Sequence, residues 1–263
     1  MKIAIASGKG GTGKTTLAVN LATFNSLDLF DLDVEEPNDY LFFKPKKLES
    51  KEVFRKVPVV KENCNGCGVC KDVCEFKAIA VVDKAMIFTE ICHSCGACIY
   101  FCPEKALEEE DKLIGRIIKA YNEIILTYGI LEIGEASAVP LIREIKKELK
   151  SNCILDCPPG TSCPMVESVR DSDFVILVAE PTPFSLHDLK IAVNVVEDFN
   201  LKFAVVINKY GLPFDGVERY CREKGIDIIG KIPFKKEIAE RYASGMLLED
   251  YKDLFVDIYS TIS

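Results

Sequence analysis

The chain has 263 residues, 48% of them hydrophobic, and a formal net charge of −8. This length suits one large α/β domain, or one domain with a small insertion, and the apolar content can fill a normal core. The negative charge disfavours a broad surface for nucleic acid or anionic lipid. The longest apolar run, Phe174–Ala179, is far shorter than the roughly 20 residues of a membrane helix. We therefore expect no nucleic-acid partner and no membrane partner.

The first segment of the chain is predicted to form a strand (2–6), a glycine-rich loop (7–13) and a helix (14–24). Because the sequence opens on this strand, we expect no signal peptide and a cytoplasmic location. Further strands are predicted at 27–33, 153–156, 174–179, 203–208 and 226–229, and helices at 138–149, 184–199, 217–224 and 235–243. Short apolar strands that alternate with amphipathic helices predict an α/β fold with a doubly wound, mostly parallel sheet. The acidic, amphipathic segment after Glu249 predicts a docked helix.

The glycine-rich loop fits the phosphate-binding pattern G-x-x-x-x-G-K-[ST] at positions 8–15. Its glycines let several backbone N–H groups point at one phosphate, and the helix N-terminus adds partial positive charge. We expect Lys14 to reach the β- and γ-phosphates and Thr15 to supply a hydroxyl to Mg²⁺. The predicted phosphate-binding residues are Gly8, Gly10, Gly11, Thr12, Gly13, Lys14, Thr15 and Thr16. A chance match in a glycine-rich turn is the alternative.

The stretch from Lys9 to Thr16 resembles the deviant Walker A box of the MinD, ParA and nitrogenase iron protein class. The resemblance implies that Lys9 crosses a dimer interface to the partner's nucleotide, and hence an ATP-dependent homodimer. It also implies that Asp33 orients the attacking water and that Asp156 is the Walker B carboxylate near Mg²⁺. A solvated loop lysine and a strand-terminating aspartate are the alternatives for Lys9 and Asp156.

A second polar pair, Asn208-Lys209, ends another predicted strand. GTPases carry N-K-x-D at this place, but Gly211 stands where the guanine-binding aspartate would be. We therefore infer adenine, with Asn208 as the base contact. The sequence around Pro233 resembles the base-flanking loop of the same class, which implies that Pro233 lies beside the base. The expected ligands are ATP and Mg²⁺.

Cysteine is strongly clustered, since eight of the twelve cysteines fall between positions 64 and 102. The set Cys64, Cys67, Cys70 and Cys74 recurs 28 residues later as Cys92, Cys95, Cys98 and Cys102. Such clustering in a nucleotide-binding chain without an export signal indicates metal rather than disulfides. The repeat predicts a small pseudo-twofold domain at 58–107, inserted into an ATPase domain formed by 1–57 and 108–263.

The spacing C-x2-C-x2-C-x3-C resembles that of bacterial ferredoxins with two [4Fe–4S] clusters. The resemblance implies an inserted α+β ferredoxin-like domain in which the fourth cysteine of each motif serves the other cluster. Cluster one would take Cys64, Cys67, Cys70 and Cys102, and cluster two would take Cys92, Cys95, Cys98 and Cys74. Zinc is the alternative, although it favours two separated cysteine pairs. The first motif departs from the pattern, because Glu75 rather than proline follows its fourth cysteine.

Four cysteines remain outside the two motifs. Cys153 and Cys221 are expected to pack in the core. Cys163 follows Asp156 in the switch loop, where the nitrogenase iron protein resemblance suggests a cluster ligand. We therefore consider a bridging metal or redox role for Cys163 across the dimer, with or without Cys157, although no cysteine occurs in 134–141 to assist it.

The combination of motifs is similar to MinD-superfamily ATPases with an inserted ferredoxin domain. It implies ATP hydrolysis by Lys9, Lys14, Asp33 and Asp156 with Mg²⁺, which switches a dimer between open and closed states. The first reading is ATP-gated electron transfer to a partner protein. The second is iron–sulfur cluster or metallocofactor assembly for a client protein. The third is a MinD- or ParA-like regulatory or spatial switch with redox-sensing clusters.

Overall fold

The computed structural model describes residues 1–262. Its strands are β1 (Lys2–Ala6), β2 (Asp28–Asp31), β3 (Lys47–Val60), β4 (Ile79–Val81), β5 (Ala85–Ile87), β6 (Leu107–Tyr121), β7 (Ile125–Leu131), β8 (Cys153–Asp156), β9 (Phe174–Ala179), β10 (Phe203–Tyr210) and β11 (Ile228–Pro233). Its α-helices are α1 (Lys14–Phe24), α2 (Val69–Asp72), α3 (Ala97–Tyr100), α4 (Val139–Lys146), α5 (Cys163–Val169), α6 (Pro183–Asp198), α7 (Gly216–Lys224), α8 (Lys236–Ala243) and α9 (Lys252–Ile262).

Nine of the strands form one sheet in the order β11-β10-β9-β1-β8-β2-β7-β6-β3. The pairs from β11 to β7 are parallel, whereas β6 is antiparallel to both β7 and β3. The prediction of a mostly parallel sheet is therefore confirmed. The parallel strands end at one edge, where Asp31 and Ile5 each pair with Asp156 in the strand register.

Helices cover both faces of this sheet. Helices α4, α5, α6 and α7 contribute to the core on one face, with buried residues such as Leu141 and Val193. Helices α1, α8 and α9 contribute to the core on the other face, where Leu17 and Phe255 are fully buried. The central strands read as continuous apolar runs because they are buried on both faces. The doubly wound arrangement and the docked C-terminal helix are both confirmed.

The antiparallel pair β3 and β6 is a long hairpin that the predicted strands did not include. The first six residues of β3 are exposed, and so they lack the apolar alternation that indicates a strand. A register shift in this pair lies between Val53 and Phe54, opposite the extra residue Ile114. Such a bulge bends the strand and frees backbone groups for other partners.

Residues 61–106 connect the far ends of β3 and β6. They contain the short helices α2 and α3 and the antiparallel pair β4–β5. Their buried residues form a small core of their own, in which cysteines mix with Ala78, Ile79 and Ala85. Within residues 1–262, no helix has both the length and the apolar character needed to span a membrane.

Candidate functional site

The phosphate-binding loop joins β1 to α1 and closes tightly against its surroundings. Gly13 caps α1 in the left-handed conformation, with φ 94°. A Cβ atom on Gly13 would lie 2.1 Å from Nδ2 of Asn208, and one on Gly8 would lie 2.2 Å from the carbonyl oxygen of Asp188. The Asn208 amide donates a hydrogen bond of 2.8 Å to the Thr12 carbonyl. Glycine is therefore required at both positions by close approach of neighbouring groups.

Lys14 and Thr15, at the start of α1, are predicted to bind phosphate and Mg²⁺. Both lie beside Asp156, the predicted Walker B carboxylate. The Thr15 hydroxyl donates to Oδ2 of Asp156 at 2.7 Å. Burial raises the pKa of Asp156, and the positive charge of Lys14, which is itself buried, opposes this rise. The second oxygen of Asp156, Oδ1, is also buried, and the carboxyl group of Asp39 lies within hydrogen-bonding reach of Asp156. A carboxylate and a hydroxyl side by side suit a hydrated Mg²⁺ ion.

A group of aspartates adjoins Asp156. Asp31 accepts hydrogen bonds from the backbone N–H groups of Asp33, Asn38 and Asp39 at 3.0, 3.0 and 3.2 Å. Burial raises the pKa of Asp33 to about 6, with a further contribution from the charge of Asp156 and an opposing one from Lys14. Asp33, the predicted water-orienting residue, therefore lies in the same electrostatic environment as Asp156.

Asp39 is a member of this group that the sequence motifs did not identify. Its side chain is completely buried, and its carboxyl group lies within hydrogen-bonding reach of the carboxyl group of Asp156. Burial raises its pKa well above the usual value, and the charges of Asp31 and Asp156 raise it further. A carboxyl that is buried beside other carboxylates strongly favours the neutral form. Its only sequence signal is a polar residue shortly after the Asp31-Leu32-Asp33 box.

Lys9, which is predicted to cross a dimer interface, forms an ion pair within its own chain. Its ammonium group lies 3.2 Å from Oε2 of Glu180, which follows β9. Lys209 pairs with the other oxygen of the same carboxylate. The Glu180 side chain is largely buried, so its two cationic neighbours offset the cost of burying a charge. The sequence motifs did not identify Glu180.

A cleft for a base lies next to the phosphate-binding loop. Its empty volume is about 760 Å³. It is lined by Gly11, Gly13, Thr16, Asn208, Lys209, Pro233, Phe234, Lys235, Ile238, Ala239 and Tyr242. The predicted base contacts Asn208 and Pro233 therefore share one mostly apolar cleft beside the loop. Such lining suits an aromatic base.

The eight clustered cysteines line two cavities. One cavity is lined by Cys64, Cys67, Cys70 and Cys102. The other is lined by Cys74, Cys92, Cys95 and Cys98. Each cavity thus combines three cysteines of one motif with the fourth cysteine of the other motif. Within residues 1–262, no three His, Cys, Asp or Glu side chains form a group that could hold a single metal ion.

The internal repeat is also visible in the backbone. Left-handed residues occur in pairs that are 28 positions apart: Gly66 with Ser94, Gly68 with Gly96, and Lys77 with Lys105. Helices α2 and α3 follow the second pair in the same relation. Two copies of one chain path therefore surround the two cavities.

Backbone N–H groups point at several of the sulfurs. Cys74 and Cys102 accept from the equivalent residues Ala78 and Ala106 at 3.3 and 3.2 Å. Cys64 accepts from Ala85 at 3.5 Å, and this contact with a second backbone bond lowers the pKa of the Cys64 thiol. Such donors favour thiolates, which are the form that binds iron. The donor set and the cavities therefore fit two iron–sulfur clusters.

The two cavities differ in their surroundings. His93 stacks on Phe76 with ring centroids 3.8 Å apart, and both residues line the cavity of Cys92 and Cys95. Phe76 follows Glu75, at the place where the first motif departs from the ferredoxin pattern. Burial raises the pKa of Cys98 to about 11. His93 thus lines this cavity with its ring stacked on Phe76.

The remaining cysteines divide into buried and exposed thiols. Cys153, Cys157 and Cys221 are buried, and burial raises the pKa of each. The expectation of core packing is confirmed for Cys153 and Cys221. Cys163 is exposed at the start of α5, whereas Cys157 lies in the core and is not available at the surface.

Comparisons with known proteins agree with this architecture. The CobQ/CobB/MinD/ParA nucleotide binding domain matches residues 3–248. The chain is 36% identical over 264 residues to an uncharacterized protein of Methanocaldococcus jannaschii, covering 95% of this chain and 90% of that protein. It is 24% identical to an iron-sulfur cluster carrier protein of Pyrococcus horikoshii, covering 96% of this chain and 80% of that one.

The fold is similar to that of the septum site-determining protein MinD of Pyrococcus horikoshii, solved with Mg-ADP. The TM-score is 0.60 at 16% identity, over 100% of this chain and 96% of that one. At this identity the likeness concerns the fold alone. The match to the family model covers most of the chain. The geometry of the phosphate-binding loop in this chain agrees with that match. The chain therefore belongs to the CobQ/CobB/MinD/ParA nucleotide-binding family, as a P-loop ATPase of the MinD/ParA type.

Proposed function

We propose that the protein is a dimeric switch that binds and hydrolyses Mg-ATP and is coupled to two [4Fe–4S] clusters, with ATP-gated electron transfer to a partner protein as its task. One observation carries this proposal. The same chain combines a MinD-type P-loop with two cavities, each lined by four cysteines in the crossed arrangement. The clusters would belong to an inserted ferredoxin-like domain at 58–107, within an ATPase domain of 1–57 and 108–263.

The nucleotide chemistry is assigned to residues around the start of α1. Lys14 and the backbone N–H groups of the loop would bind the phosphates, and Thr15 with Asp156 would hold Mg²⁺. Asp33 orients the attacking water, which adds to the γ-phosphorus as the bond to ADP breaks. Lys9 leaves Glu180 and reaches the nucleotide of a second copy, which makes closure of the dimer dependent on ATP.

The cysteine cavities are assigned to the clusters. Cys64, Cys67, Cys70 and Cys102 would hold one cluster, and Cys92, Cys95, Cys98 and Cys74 the other. When bound, such clusters carry single electrons at low potential. Backbone donors to Cys64, Cys74 and Cys102 stabilise the thiolate form of the ligands. The short helices α2 and α3 fix the chain path around both cavities.

Iron–sulfur cluster or metallocofactor assembly for a client protein is the second candidate. The identity with iron-sulfur cluster carrier proteins favours it, and so does the exposure of Cys163 at the start of α5. Delivery of a cluster to a client requires an accessible thiol, and Cys163 is accessible. Replacing Cys163 with serine should then lower the bound iron. Unchanged metal content and activity would remove that role.

A regulatory or spatial switch with redox-sensing clusters is the third candidate. The net charge of −8 and the docking of α9 through Phe255 and Ile258 argue against binding to DNA or to anionic membranes. Pelleting with DNA or liposomes in the presence of ATP tests this reading directly. Co-sedimentation would favour it over electron transfer.

The main experiment is an EPR-monitored redox titration of anaerobically purified protein with and without MgATP. Two [4Fe–4S] signals that shift with nucleotide would support gated electron transfer. Cluster signals that are the same with and without MgATP would favour iron–sulfur cluster assembly instead. The Lys14→Ala variant is the control, because loss of its charge should lower ATP hydrolysis by about 10²-fold or more. Normal hydrolysis by this variant would contradict the assignment of the ATP site.

A further inference from the structure

Arg55, in the middle of β3, ties the segment around Cys92 to the rest of the molecule. Its guanidinium donates to the carbonyls of Thr89 and Cys92 at 2.7 and 2.9 Å and to the Ser94 hydroxyl at 2.8 Å. Its Nε donates to Oε2 of Glu135 at 3.0 Å. Four of its five N–H donors are therefore used. These contacts fix the backbone that flanks one predicted cluster ligand.

The acceptor Glu135 belongs to a connecting loop, which we define as residues 132–138 between β7 and α4. Only 3% of its side chain is exposed, against 8% for Arg55. Lys112, the cross-strand neighbour of Arg55, lies 2.7 Å from the other oxygen of Glu135. Buried ionic groups with complete pairing are costly to disrupt, since removal of one partner leaves the others uncompensated.

The rest of the connecting loop is weakly anchored. Ile133 is fully exposed although it is a large apolar residue, and Gly134 adopts a left-handed conformation. Glu135 lines an open cleft together with Cys92 and His93. Ala138, at the end of the loop, lines another open cleft together with Asp33. The loop thus borders open space near both predicted sites, and Glu135 is a buried anchor within it.

The connecting loop also begins next to the predicted nucleotide switch. The N–H of Leu131, at the end of β7, donates to the carbonyl of Val34 at 2.9 Å, directly after Asp33. The next N–H, of Glu132, donates at 2.9 Å to Ile114, the extra residue of the β3–β6 bulge. Direct contacts therefore lead from Asp33 through the loop to Glu135, Arg55 and the Cys92 segment.

We propose that Arg55 is a positioning residue that links the connecting loop to the Cys92 segment, so that nucleotide-dependent movement at Asp33 reaches the second predicted cluster. This inference rests on the proposed function, because it names the residue through which ATP and that cluster communicate. The link is asymmetric, since the contacts of Arg55 go to the segment of Cys92 and not to that of Cys64. Packed contacts with two arrangements are how distant sites become coupled.

An arginine is required for this geometry. Its planar fork serves the carboxylate of Glu135 and the two carbonyls at the same time, in directions that a single ammonium group cannot match. Arg55→Lys therefore keeps the positive charge but loses most of these hydrogen bonds. Arg55→Met removes the charge and the hydrogen bonds, and Glu135→Gln removes the negative charge that pairs with Arg55.

The test is the EPR redox titration with and without MgATP on the full chain. The signal of the second cluster is identified as the one that Cys95→Ser abolishes. Arg55→Met should reduce its nucleotide-induced shift by about half or more, and Arg55→Lys should not restore it. ATP hydrolysis should stay within about twofold, since the hydrogen bonds of Arg55 go to Glu135 and to residues 89–94 and not to the phosphate-binding loop. Hydrogen exchange at 89–94 should accelerate in the variant.

Arg116→Met is the matched control, because Arg116 lies on β6 of the same hairpin in an exposed ion pair with Glu52. It should behave as the wild type. If the EPR signals of the wild type do not change with MgATP, the proposed function and this inference are both wrong. If the wild type shows the MgATP-induced shift and the Arg55→Met and Glu135→Gln variants show the same shift, only this inference is wrong. If Arg55→Met loses its cluster, Arg55→Lys and Glu135→Gln decide the question by the same criterion.

Discussion

At the scale of single residues, Asp39 is a group whose environment strongly opposes its charge. Its pKa is raised well above 3.8 by burial and by Asp31 and Asp156. The unfolded chain therefore releases this proton first, and the folded state loses stability as pH rises above about 4. Asp39→Asn removes this cost and should raise the melting temperature at pH 7.5, by about 2–4 °C for each kcal/mol gained.

The Asp39→Asn effect should be measured by thermal unfolding in buffer without Mg²⁺ or nucleotide. The difference from the wild type should shrink as pH falls toward 4, where the folded and unfolded carboxyls are both protonated. Asp227→Asn, at an exposed site, is the control and should have little effect. A stabilisation that does not change with pH would contradict the electrostatic origin.

Glu180 and Lys9 give a second prediction at the residue scale. Lys9 has to leave Glu180 before it can reach a partner's nucleotide, so the pair opposes dimer closure. Because Lys9 is one-third exposed, screening by solvent limits the pair to a modest contribution. Glu180→Gln should lower the MgATP concentration needed for dimerisation by about threefold, in line with a weak ion pair.

Sedimentation velocity at several MgATP concentrations measures this effect. Glu218→Gln is the matched control, since Glu218 pairs with Lys231 and not with Lys9. Lys9→Ala should abolish ATP-dependent dimerisation. If Lys9→Ala abolishes dimerisation while Glu180→Gln leaves the midpoint unchanged, Glu180 does not restrain Lys9.

At the scale of secondary-structure elements, Gly13 tests the junction between the phosphate-binding loop and β10. Alanine at this position meets both a left-handed backbone and the Asn208 amide at 2.1 Å. Gly11 is also left-handed, with φ 76°, but a Cβ atom added there would meet no atom within 4 Å from residues 1–262 other than its chain neighbours. Gly11→Ala should therefore lose about 1–2 kcal/mol of unfolding free energy from strain alone, and Gly13→Ala should lose more.

Urea unfolding without nucleotide separates these two costs. Equal losses for Gly11→Ala and Gly13→Ala would mean that Asn208 moves aside freely, and the close approach would then have no structural importance. A larger loss for Gly13→Ala, together with weaker ATP binding, would support the role of Asn208 in fixing the loop.

The elements also show what the sequence could predict. The strand Lys2–Ala6 and the helix Lys14–Phe24 have the predicted bounds, because local apolar patterns and the glycine loop define them. The hairpin of β3 and β6 lacks such a pattern, since half of it is exposed to solvent. Arg55 and Glu135 are 80 residues apart. Their pairing depends on tertiary closure, which no local signal reports.

At the scale of the whole molecule, the hairpin of β3 and β6 joins two regions with different chemistry. One end belongs to the nine-stranded sheet that carries the nucleotide residues, and the other end holds the cysteine segment. The motifs predicted the residues at each end, such as Lys14 and Cys64, because phosphate and iron each require fixed local spacing. The contacts between the ends involve ordinary charged residues, which carry no motif.

The crossed arrangement of cysteines gives a prediction for the whole cysteine segment. Cys102 belongs to the second motif in sequence, but it lines the cavity of Cys64, Cys67 and Cys70. Cys102→Ser should therefore weaken the same EPR signal as Cys67→Ser and leave the signal that Cys95→Ser abolishes. Loss of one thiolate ligand should lower the metal affinity or occupancy of that site alone.

Cys221→Ser is the control for this experiment, because Cys221 is a core residue outside the segment; it should leave both signals intact. If Cys102→Ser and Cys95→Ser instead abolish the same signal, each cluster is held by one contiguous motif and the crossed assignment is wrong.

The cysteines that line each cavity favour the crossed assignment. The fourth cysteine of each motif lies after a short helix, which carries it away from its own three neighbours and toward the other set.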